Sequence, residues 1–340
     1  MKGIIALSIV VLFFSFSEYT IELNEENIAS ESVADVLEKF GQATPAKKPD
    51  YSIEGVSARV GEDIVKKGFS KLEDQKGSKR QSKHFICTSC HNTVREDPNL
   101  IYDDPQARLI YTNQNDLPFL QATTLYGAVN RETYYNGDYE KKYGDLVKPA
   151  RNDIREAIQL CATECAQGRE LDSWELESIL AYLWEIDLKM TDLNLTEIEL
   201  QSIESALKNN VLREEGAKFI KSKYLSGSGA TFVEPPADRK AGTGLEGNSS
   251  NGKLIYENSC LHCHYQKRYS FLHLDNNKMS FKHLDKKAEG YSRHSIYQVV
   301  RYGTYSKYGK KSYMPNYTME RMSDQQLADL REYIKEQASL

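Results

Sequence analysis

The chain has 340 residues, of which 40% are hydrophobic and 27% are charged, and its formal net charge is −5. This length and composition suit two globular domains and exclude an integral membrane protein with several spans. An acidic chain also lacks the basic surface that nucleic-acid binding requires, so we expect no nucleic-acid partner.

The N-terminus carries an export pattern. Met1-Lys2 precedes an apolar run over residues 3–16, and Ser15-Phe16-Ser17 offers small residues for cleavage before Glu18. The run is shorter than the about 20 residues that span a bilayer, and no nearby cysteine could carry a lipid anchor. Residues 1–17 are therefore predicted to be a signal peptide. We expect a periplasmic protein without a membrane span after cleavage, and membrane association only if the segment stays uncleaved.

Two C-x-x-C-H motifs are the main chemical signal of the sequence. They comprise Cys87, Cys90 and His91 in the first half and Cys260, Cys263 and His264 in the second. In this motif the two thiols attach a haem covalently and the histidine binds its iron. We therefore predict two covalently bound haem c groups. A redox dithiol or a four-cysteine zinc site is the alternative, but neither requires a histidine after each second cysteine.

Each half places its motif between two predicted helices. In the first half these are a helix over residues 61–72 and a closing helix that Asp172 and Glu175 begin with a capping box. In the second half residues 252–256 precede the motif, and Ser323 with Gln326 begins the closing helix. This repeat predicts an all-α fold with two tandem cytochrome c-like domains, each binding one haem. In such domains the first helix crosses the closing helix at a glycine.

The chain divides into five predicted segments. They are the signal peptide at 1–17, an acidic tether at 18–55, the first domain at 56–190, a helical connector and flexible linker at 191–250, and the second domain at 251–340. A capping box at Thr196 and Glu199 predicts the connector helix. The polar, Gly-rich run at 226–252 shows no helical or strand period and predicts the linker.

The second haem has a clear candidate for its remaining axial ligand. Met314 lies before Pro315 in a loop just ahead of the closing helix, where a thioether can reach the distal haem face. Met319 and Met322 are rivals that lie closer to the helix start. The first half has no methionine in the matching place, since Met190 follows its closing helix.

Cys161 and Cys165 precede the closing helix of the first half instead. On one α-helix their Cβ atoms would be about 5–6 Å apart, whereas a disulfide needs about 3.5–4.5 Å. Three interpretations remain open from the residues alone: a strained disulfide, one thiolate that ligates the first haem iron, or two buried structural thiols.

The order of these features resembles the dihaem thiosulfate dehydrogenase and sulfur-oxidising cytochrome families. The resemblance covers about residues 57–190 and 250–340, and it includes Gly168 and the acidic capped helix that follows Cys161. In those families a cysteine at the position of Cys161 ligates the substrate-side haem, and a methionine serves the electron-exit haem. The resemblance thus implies that Cys161 is an iron ligand and a catalytic residue toward a sulfur compound such as thiosulfate. The second cysteine, Cys165, departs from the family pattern.

A long insert at residues 92–155 also departs from that pattern, and its position predicts that it wraps the edge of the first haem. Its cations would bind either the haem propionates or a small sulfur oxyanion. They are Arg108, Arg131, Lys141, Lys142, Lys148, Arg151 and Arg155.

The second domain is the basic one. Residues 251–340 contain 15 Lys and Arg against 9 Asp and Glu, a net charge of +6, which leaves −11 for residues 1–250. The predicted basic rim comprises Lys267, Arg268, Lys282, Lys286, Lys287, Lys307, Lys310 and Lys311. It predicts a docking surface for an acidic redox partner, and a merely solvated face is the alternative.

These observations favour an exported dihaem c-type cytochrome that passes electrons from its first haem to its second and then to a redox partner. Two other functions remain open. One is an oxidoreductase that oxidises a sulfur compound at a cysteine-ligated first haem, and the other is a cytochrome subunit of a larger membrane oxidoreductase. The sequence favours the electron carrier over the enzyme.

Overall fold

The computed structural model describes residues 28–42, 47–71, 77–290, 295–304 and 311–340. Within these ranges the regular structure is helical, and the β contact is an isolated bridge between Ser32 and Lys189. The all-α prediction is confirmed. The predicted signal peptide lies outside the described residues, and no helix inside them is both long and apolar enough to cross a membrane.

The α-helices are α1 (Val33–Lys39), α2 (Ala58–Lys67), α3 (Pro105–Gln114), α4 (Tyr139–Tyr143), α5 (Val147–Ala150), α6 (Ile154–Leu160), α7 (Ser173–Glu185), α8 (Glu197–Lys208), α9 (Arg213–Lys221), α10 (Ser249–Ile255), α11 (Leu261–His264), α12 (Lys278–Ala288), α13 (Ile296–Tyr302) and α14 (Asp324–Ser339). Two segments continue helices with π geometry. Cys161–Cys165 follows α6, and Tyr256–Cys260 follows α10. Such π segments are rare and often occur at functional sites.

Both halves contain the same close helix crossing. Helix α2 crosses α7 at Gly61, where a Cβ atom would lie 1.8 Å from the Ser178 carbonyl oxygen. Helix α10 crosses α14 at Gly252, where a Cβ would lie 2.0 Å from the Asp329 carbonyl oxygen. Only glycine allows this approach, so the predicted crossing is present in each half.

The first helix is shorter than predicted. It ends at Lys67 rather than at Leu72, because Gly68 adopts a left-handed conformation with φ of +79°. The Gly68 N–H donates to the Ile64 carbonyl and closes the helix.

The three predicted capping boxes are confirmed. Asp172 and Glu175 begin α7, Thr196 and Glu199 begin α8, and Ser323 and Gln326 begin α14. In α8 and α14 the N-cap hydroxyl accepts the backbone N–H of the third helical residue, whose side chain accepts the N-cap backbone N–H. In α7 the Asp172 backbone N–H donates to the Glu175 carboxylate at 2.9 Å. Local sequence therefore sets where these helices begin.

Residues 28–42 are not a tether. The apolar residues of α1, Val33, Val36 and Leu37, are buried together with Phe40 against α8 and α9. Ser32 Oγ accepts the Asp35 N–H and begins the helix. The prediction failed because one amphipathic helix of two turns gives a weak sequence signal and gains its stability from tertiary burial.

The predicted linker also packs against the rest of the protein. Phe232 contacts the ring of Tyr139 with a centroid distance of 5.5 Å, and Thr231 N–H donates to Glu320 at 2.9 Å. Tyr139 belongs to the first half and Glu320 to the second. The segment at 226–248 therefore runs along both halves rather than hanging free.

Part of the insert joins the two halves instead of wrapping the first. Leu109 on α3 and Phe119 after it belong to the hydrophobic core of the second half. Arg108 stacks on the Phe119 ring at 4.0 Å and donates to the Arg321 carbonyl at 2.7 Å. Arg321 in turn pairs with Glu96 at 2.9 Å, and both side chains are buried.

We predict that Gly61→Ala and Gly252→Ala each lower the free energy of unfolding by about 1–3 kcal/mol, the usual effect of overpacking. Alanine has a higher helix propensity than glycine by about 1 kcal/mol, so a lower free energy of unfolding would report the close contact between the helices rather than helix propensity. Urea titration measures the effect. Gly77→Ala is the control, because its Cβ would lie 3.8 Å from the nearest atom. Unchanged stability at both crossings would contradict the close approach.

Candidate functional site

The first motif presents its histidine to a cavity of about 230 Å³. Cys87, Cys90 and His91 line this cavity on one side, and Cys161 lines it on the other. The His91 Nδ1–H donates to the Thr123 carbonyl at 2.6 Å. This bond fixes the tautomer and leaves Nε2 free to bind a metal.

Cys161 faces that free nitrogen. Its Sγ lies 3.9 Å from His91 Nε2. A metal bound between them, with lengths of about 2.0 Å to nitrogen and about 2.3 Å to sulfur as zinc shows, would separate these atoms by about 4.3 Å. The observed gap is therefore within a few tenths of an ångström of the space that one metal atom between the two side chains needs.

Cys165 lies beside Cys161 but is held by different groups. Cys161 and Cys165 begin and end the π segment, and both line the cavity. The hydroxyls of Tyr143 and Tyr135 lie 3.5 and 3.6 Å from the Cys165 sulfur, and Lys142 is nearby. The hydrogen bond from Cys161, with those from the phenols, lowers the pKa of Cys165 from its ordinary value. Both cysteines are free thiols in this structure.

The second motif has the same histidine arrangement. The His264 Nδ1–H donates to the Leu272 carbonyl at 3.1 Å, which again leaves Nε2 free. Cys260, Cys263 and His264 line a cavity of about 900 Å³, and Met314 lines the same cavity. This volume lies near the upper end of ordinary ligand pockets.

Backbone hydrogen bonds hold the Met314 loop against the end of α13. Met314 N–H donates to Thr304 Oγ1 at 2.7 Å, and Thr304 N–H donates back to the Met314 carbonyl at 2.8 Å. Gly303 precedes this pair with φ of +69°, and a Cβ there would lie 2.3 Å from the Met314 carbonyl oxygen. The loop therefore depends on a glycine at this position.

The rival methionines have other surroundings. Met322 is 1% exposed and lines the second cavity from within the hydrophobic core. Met319 is not among the residues that line it, and its N–H donates to the Thr231 carbonyl at 3.0 Å. Met190 is buried in the separate core formed by α1, α8 and α9. Met314 and Met322 are thus the two candidates with access to the second cavity.

Burial lowers the pKa of His91 and of His264. Each imidazole is therefore neutral at neutral pH, as metal ligation requires. Burial also raises the pKa of Cys87 and of Cys263 to about 11, so these groups are thiols rather than thiolates. Among the described residues, no group of three or more Cys, His, Asp or Glu side chains could hold a metal ion.

The two motifs lie close together, which their separation in sequence does not reveal. Cys90 of the first motif lines the second cavity together with Cys260 and Cys263 of the second. The rings of Phe85 and Tyr313 meet edge to face with centroids 5.6 Å apart. Five residues line both cavities: Phe85, Cys90, Gln121, Tyr313 and Pro315.

Two of the seven cations predicted for the insert, Arg131 and Lys142, line the first cavity. The expectation was wrong for the others. Arg108 pairs with Glu96, and the remaining four pair with acidic neighbours: Lys141 with Asp138, Lys148 with Asp145, Arg151 with Glu140 and Arg155 with Glu177. Arg321 of the second half also lines the first cavity, and no local sequence signal could have identified it.

Two exposed apolar side chains, Phe271 and Met279, lie close in sequence to the residues of the basic rim. Phe271 is 86% exposed and Met279 is 71% exposed, and Phe271 with Leu272 lines the cavity mouth. The exposed rim residues are Lys267, Arg268, Lys282, Lys286 and Lys311, while Lys287 is half-buried. Lys307 and Lys310 lie outside the described residues.

Residues 249–338 match the family model for cytochrome c. This part of the chain is a cytochrome c domain. Such a domain binds haem c covalently and transfers electrons. The match begins at α10 and ends within α14, so it contains the helix crossing, the second motif and Met314. Searches of curated proteins and of solved structures found no significant match.

The residues of this domain fit haem c. Two thiols and a histidine with a free Nε2 line one cavity, and Met314 offers a thioether in the same space. The rest of the lining is largely apolar, including Leu330 and Ile334 of the closing helix. Such a lining suits a large apolar ring and limits the access of water to it.

We predict that Met314→Leu removes an axial ligand and converts one ferric haem from low to high spin. Met322→Leu and Met319→Leu should leave the spin state unchanged, because neither change removes the predicted ligand. Both variants should also fold, since a Met to Leu replacement usually costs less than about 1.5 kcal/mol of stability. Visible absorption spectra of the three oxidised variants measure the effect. A spin change in Met322→Leu alone would move the ligand assignment to Met322.

Proposed function

We propose that the protein is an exported dihaem c-type cytochrome that receives electrons at the first site and passes them through the second site to a redox partner. One observation carries this proposal. The first half repeats the arrangement of the cytochrome c domain, with a glycine helix crossing, a C-x-x-C-H motif and a histidine whose Nδ1 is bonded to a backbone carbonyl. The export signal is the pattern at residues 1–17.

The proposed ligands differ between the two sites. His91 and Cys161 would hold the iron of the first site, since their donor atoms face each other at 3.9 Å. His264 and Met314 would hold the iron of the second. Bound haem c supplies one iron that accepts and releases one electron at each site.

The two sulfur donors set the direction of electron flow. A thiolate such as that of Cys161 donates charge and favours ferric iron, whereas the thioether of Met314 favours ferrous iron. The first site should therefore have the lower potential, and transfer to the second site is downhill. The shared cavity wall, which includes Cys90 of the first motif, supports direct transfer between the sites.

The first cavity also contains cationic side chains that suit the propionate groups of a haem. Arg131 and Arg321 both line the first cavity, and they approach from different halves of the chain. Burial lowers the pKa of Arg131 to about 10, which still leaves it charged at neutral pH. The Arg131 guanidinium would pair with a carboxylate at the cavity edge, while Arg321 keeps its ion pair with Glu96.

The wild type should carry two covalently bound haems. Cys260→Ala together with Cys263→Ala should leave one haem on the first motif, and Cys87→Ala together with Cys90→Ala should leave one on the second. Removing both thiols of a motif removes its covalent link. The mass of acid-extracted protein measures the haem number. A wild type with one covalent haem would contradict the dihaem proposal, and the paired variants would show which motif carries it.

The basic rim with its apolar centre is the proposed exit surface. Exposed lysines around Phe271 and Met279 can steer an acidic partner toward the second cavity, and the apolar patch can then desolvate the contact. The charge of the second domain, net +6, supports an acidic partner.

Electron exchange with an acidic acceptor protein should slow as salt is added, because salt screens the steering charges. Lys282→Glu together with Lys286→Glu should slow the exchange about tenfold at low salt, the lower end of electrostatic steering. Stopped-flow kinetics measures the rate, and Lys208→Glu on the distant α8 is the matched control. If neither added salt nor the double charge reversal changes the rate of electron exchange, the rim is only a solvated face.

A further inference from the structure

The proposed function uses Cys161 as an iron ligand but assigns no role to Cys165. Cys161 and Cys165 begin and end one π segment, and both side chains line the first cavity. They are also the two cysteines that the C-x-x-C-H motifs do not consume. Two free thiols are therefore held next to each other inside a proposed redox site.

The backbone allows these two sulfurs to approach further. Residues Cys161–Cys165 form a π segment, in which Ala166 N–H donates to the Cys161 carbonyl at 2.8 Å. Regular helix ends there, since Gln167 has φ of +55° and Gly168 N–H donates to the Ala162 carbonyl at 2.9 Å. Cys165 thus lies at the last residue of the helix, where a small backbone shift breaks no further helical turn.

A bridge formed here would open readily. In an α-helix, cysteines four residues apart have Cβ atoms about 5–6 Å apart, and a relaxed disulfide needs about 3.5–4.5 Å. The π geometry and the helix end reduce this conflict but keep both residues on one short segment. Strained disulfides are the easily reduced ones, and such bonds serve redox chemistry rather than structure.

Tyrosine side chains of the cavity wall contact the Cys165 sulfur and restrict its position near Cys161. The hydroxyl of Tyr143 lies 3.5 Å from the Cys165 sulfur and that of Tyr135 lies 3.6 Å away, while Tyr135 also donates to the Ala157 carbonyl. Tyr135, Tyr139 and Tyr143 pack against each other with centroid distances of 5.3 to 6.3 Å. These contacts hold the thiol toward Cys161.

We propose that Cys161 and Cys165 are a redox-active cysteine pair that cycles between dithiol and disulfide next to the first site. On oxidation an S–S bond forms, the two S–H protons leave to solvent, and two electrons pass to two one-electron acceptors. If Cys161 is already bound to iron as thiolate, its proton has left earlier. The two ferric haems of the proposed function, on which this inference rests, would each take one of the electrons.

The pair would also control ligation at the first site. A sulfur engaged in a disulfide has no thiolate charge left to give to iron, so oxidation of the pair removes Cys161 as a ligand. Reduction of the pair restores it. The first site would then have an open axial position in one state and a closed one in the other.

The test uses the full-length holoprotein. The protein is reduced anaerobically with a phosphine, freed of reductant, and titrated with ferricyanide before denaturation and alkylation with iodoacetamide. We expect two alkylated cysteines before oxidation and none after it, with a fall of about 2 Da in the mass of the unalkylated chain for the two hydrogens lost. The wild type should also consume two more ferricyanide equivalents than Cys165→Ser.

Cys165→Ala is the second control, used if Cys165→Ser folds poorly. In both variants the first site should keep its ligand spectrum through oxidation, whereas the wild type should lose it when the pair closes. Two alkylatable thiols in the oxidised wild type, with the same ferricyanide consumption as the variants, would overturn the inference. The haem count of the same samples is independent, and a count other than two would overturn the proposed function instead.

Discussion

The narrow gap between His91 Nε2 and Cys161 Sγ is the constraint on which the first site depends. Three separate features set this distance of 3.9 Å. The Thr123 carbonyl orients the imidazole, the π segment after α6 places the thiol, and the crossing at Gly61 holds the closing helix behind it. A displacement of about 1 Å in any one of them would be enough to loosen a site held by these two side chains.

The relation between the two sites depends on buried charges rather than on a flexible joint. Glu96 pairs with Arg321 and approaches Arg108 at 3.7 Å, with both Glu96 and Arg108 1% exposed. Removing one partner from such a network leaves a buried charge uncompensated, which typically costs about 3–5 kcal/mol. Because Glu96 belongs to the first half and Arg321 to the second, this network fixes how the two cavities meet. It therefore supports a constant distance between the two cavities.

Local signals allowed most of the fold and the motif residues to be predicted. The capping boxes and the motif cysteines act over a few residues, so the sequence displays them directly. Tertiary effects were missed for the opposite reason. The packing of α1, the entry of Arg321 into the first cavity and the pairing of Arg155 with Glu177 all join residues that are distant in sequence. The entry of Cys90 into the lining of the second cavity is of the same kind.

Low-temperature electron paramagnetic resonance of the ferric Cys165→Ala protein, in which Cys161 has no disulfide partner, tests the central claim most directly. The proposal predicts two low-spin ferric signals, one of thiolate type and one of histidine–methionine type, because it assigns different sulfur ligands to the two irons. Cys161→Ser should abolish the thiolate-type signal and leave the other unchanged. A single low-spin signal, or two signals that Cys161→Ser does not alter, would contradict a dihaem protein with a cysteine-ligated first site.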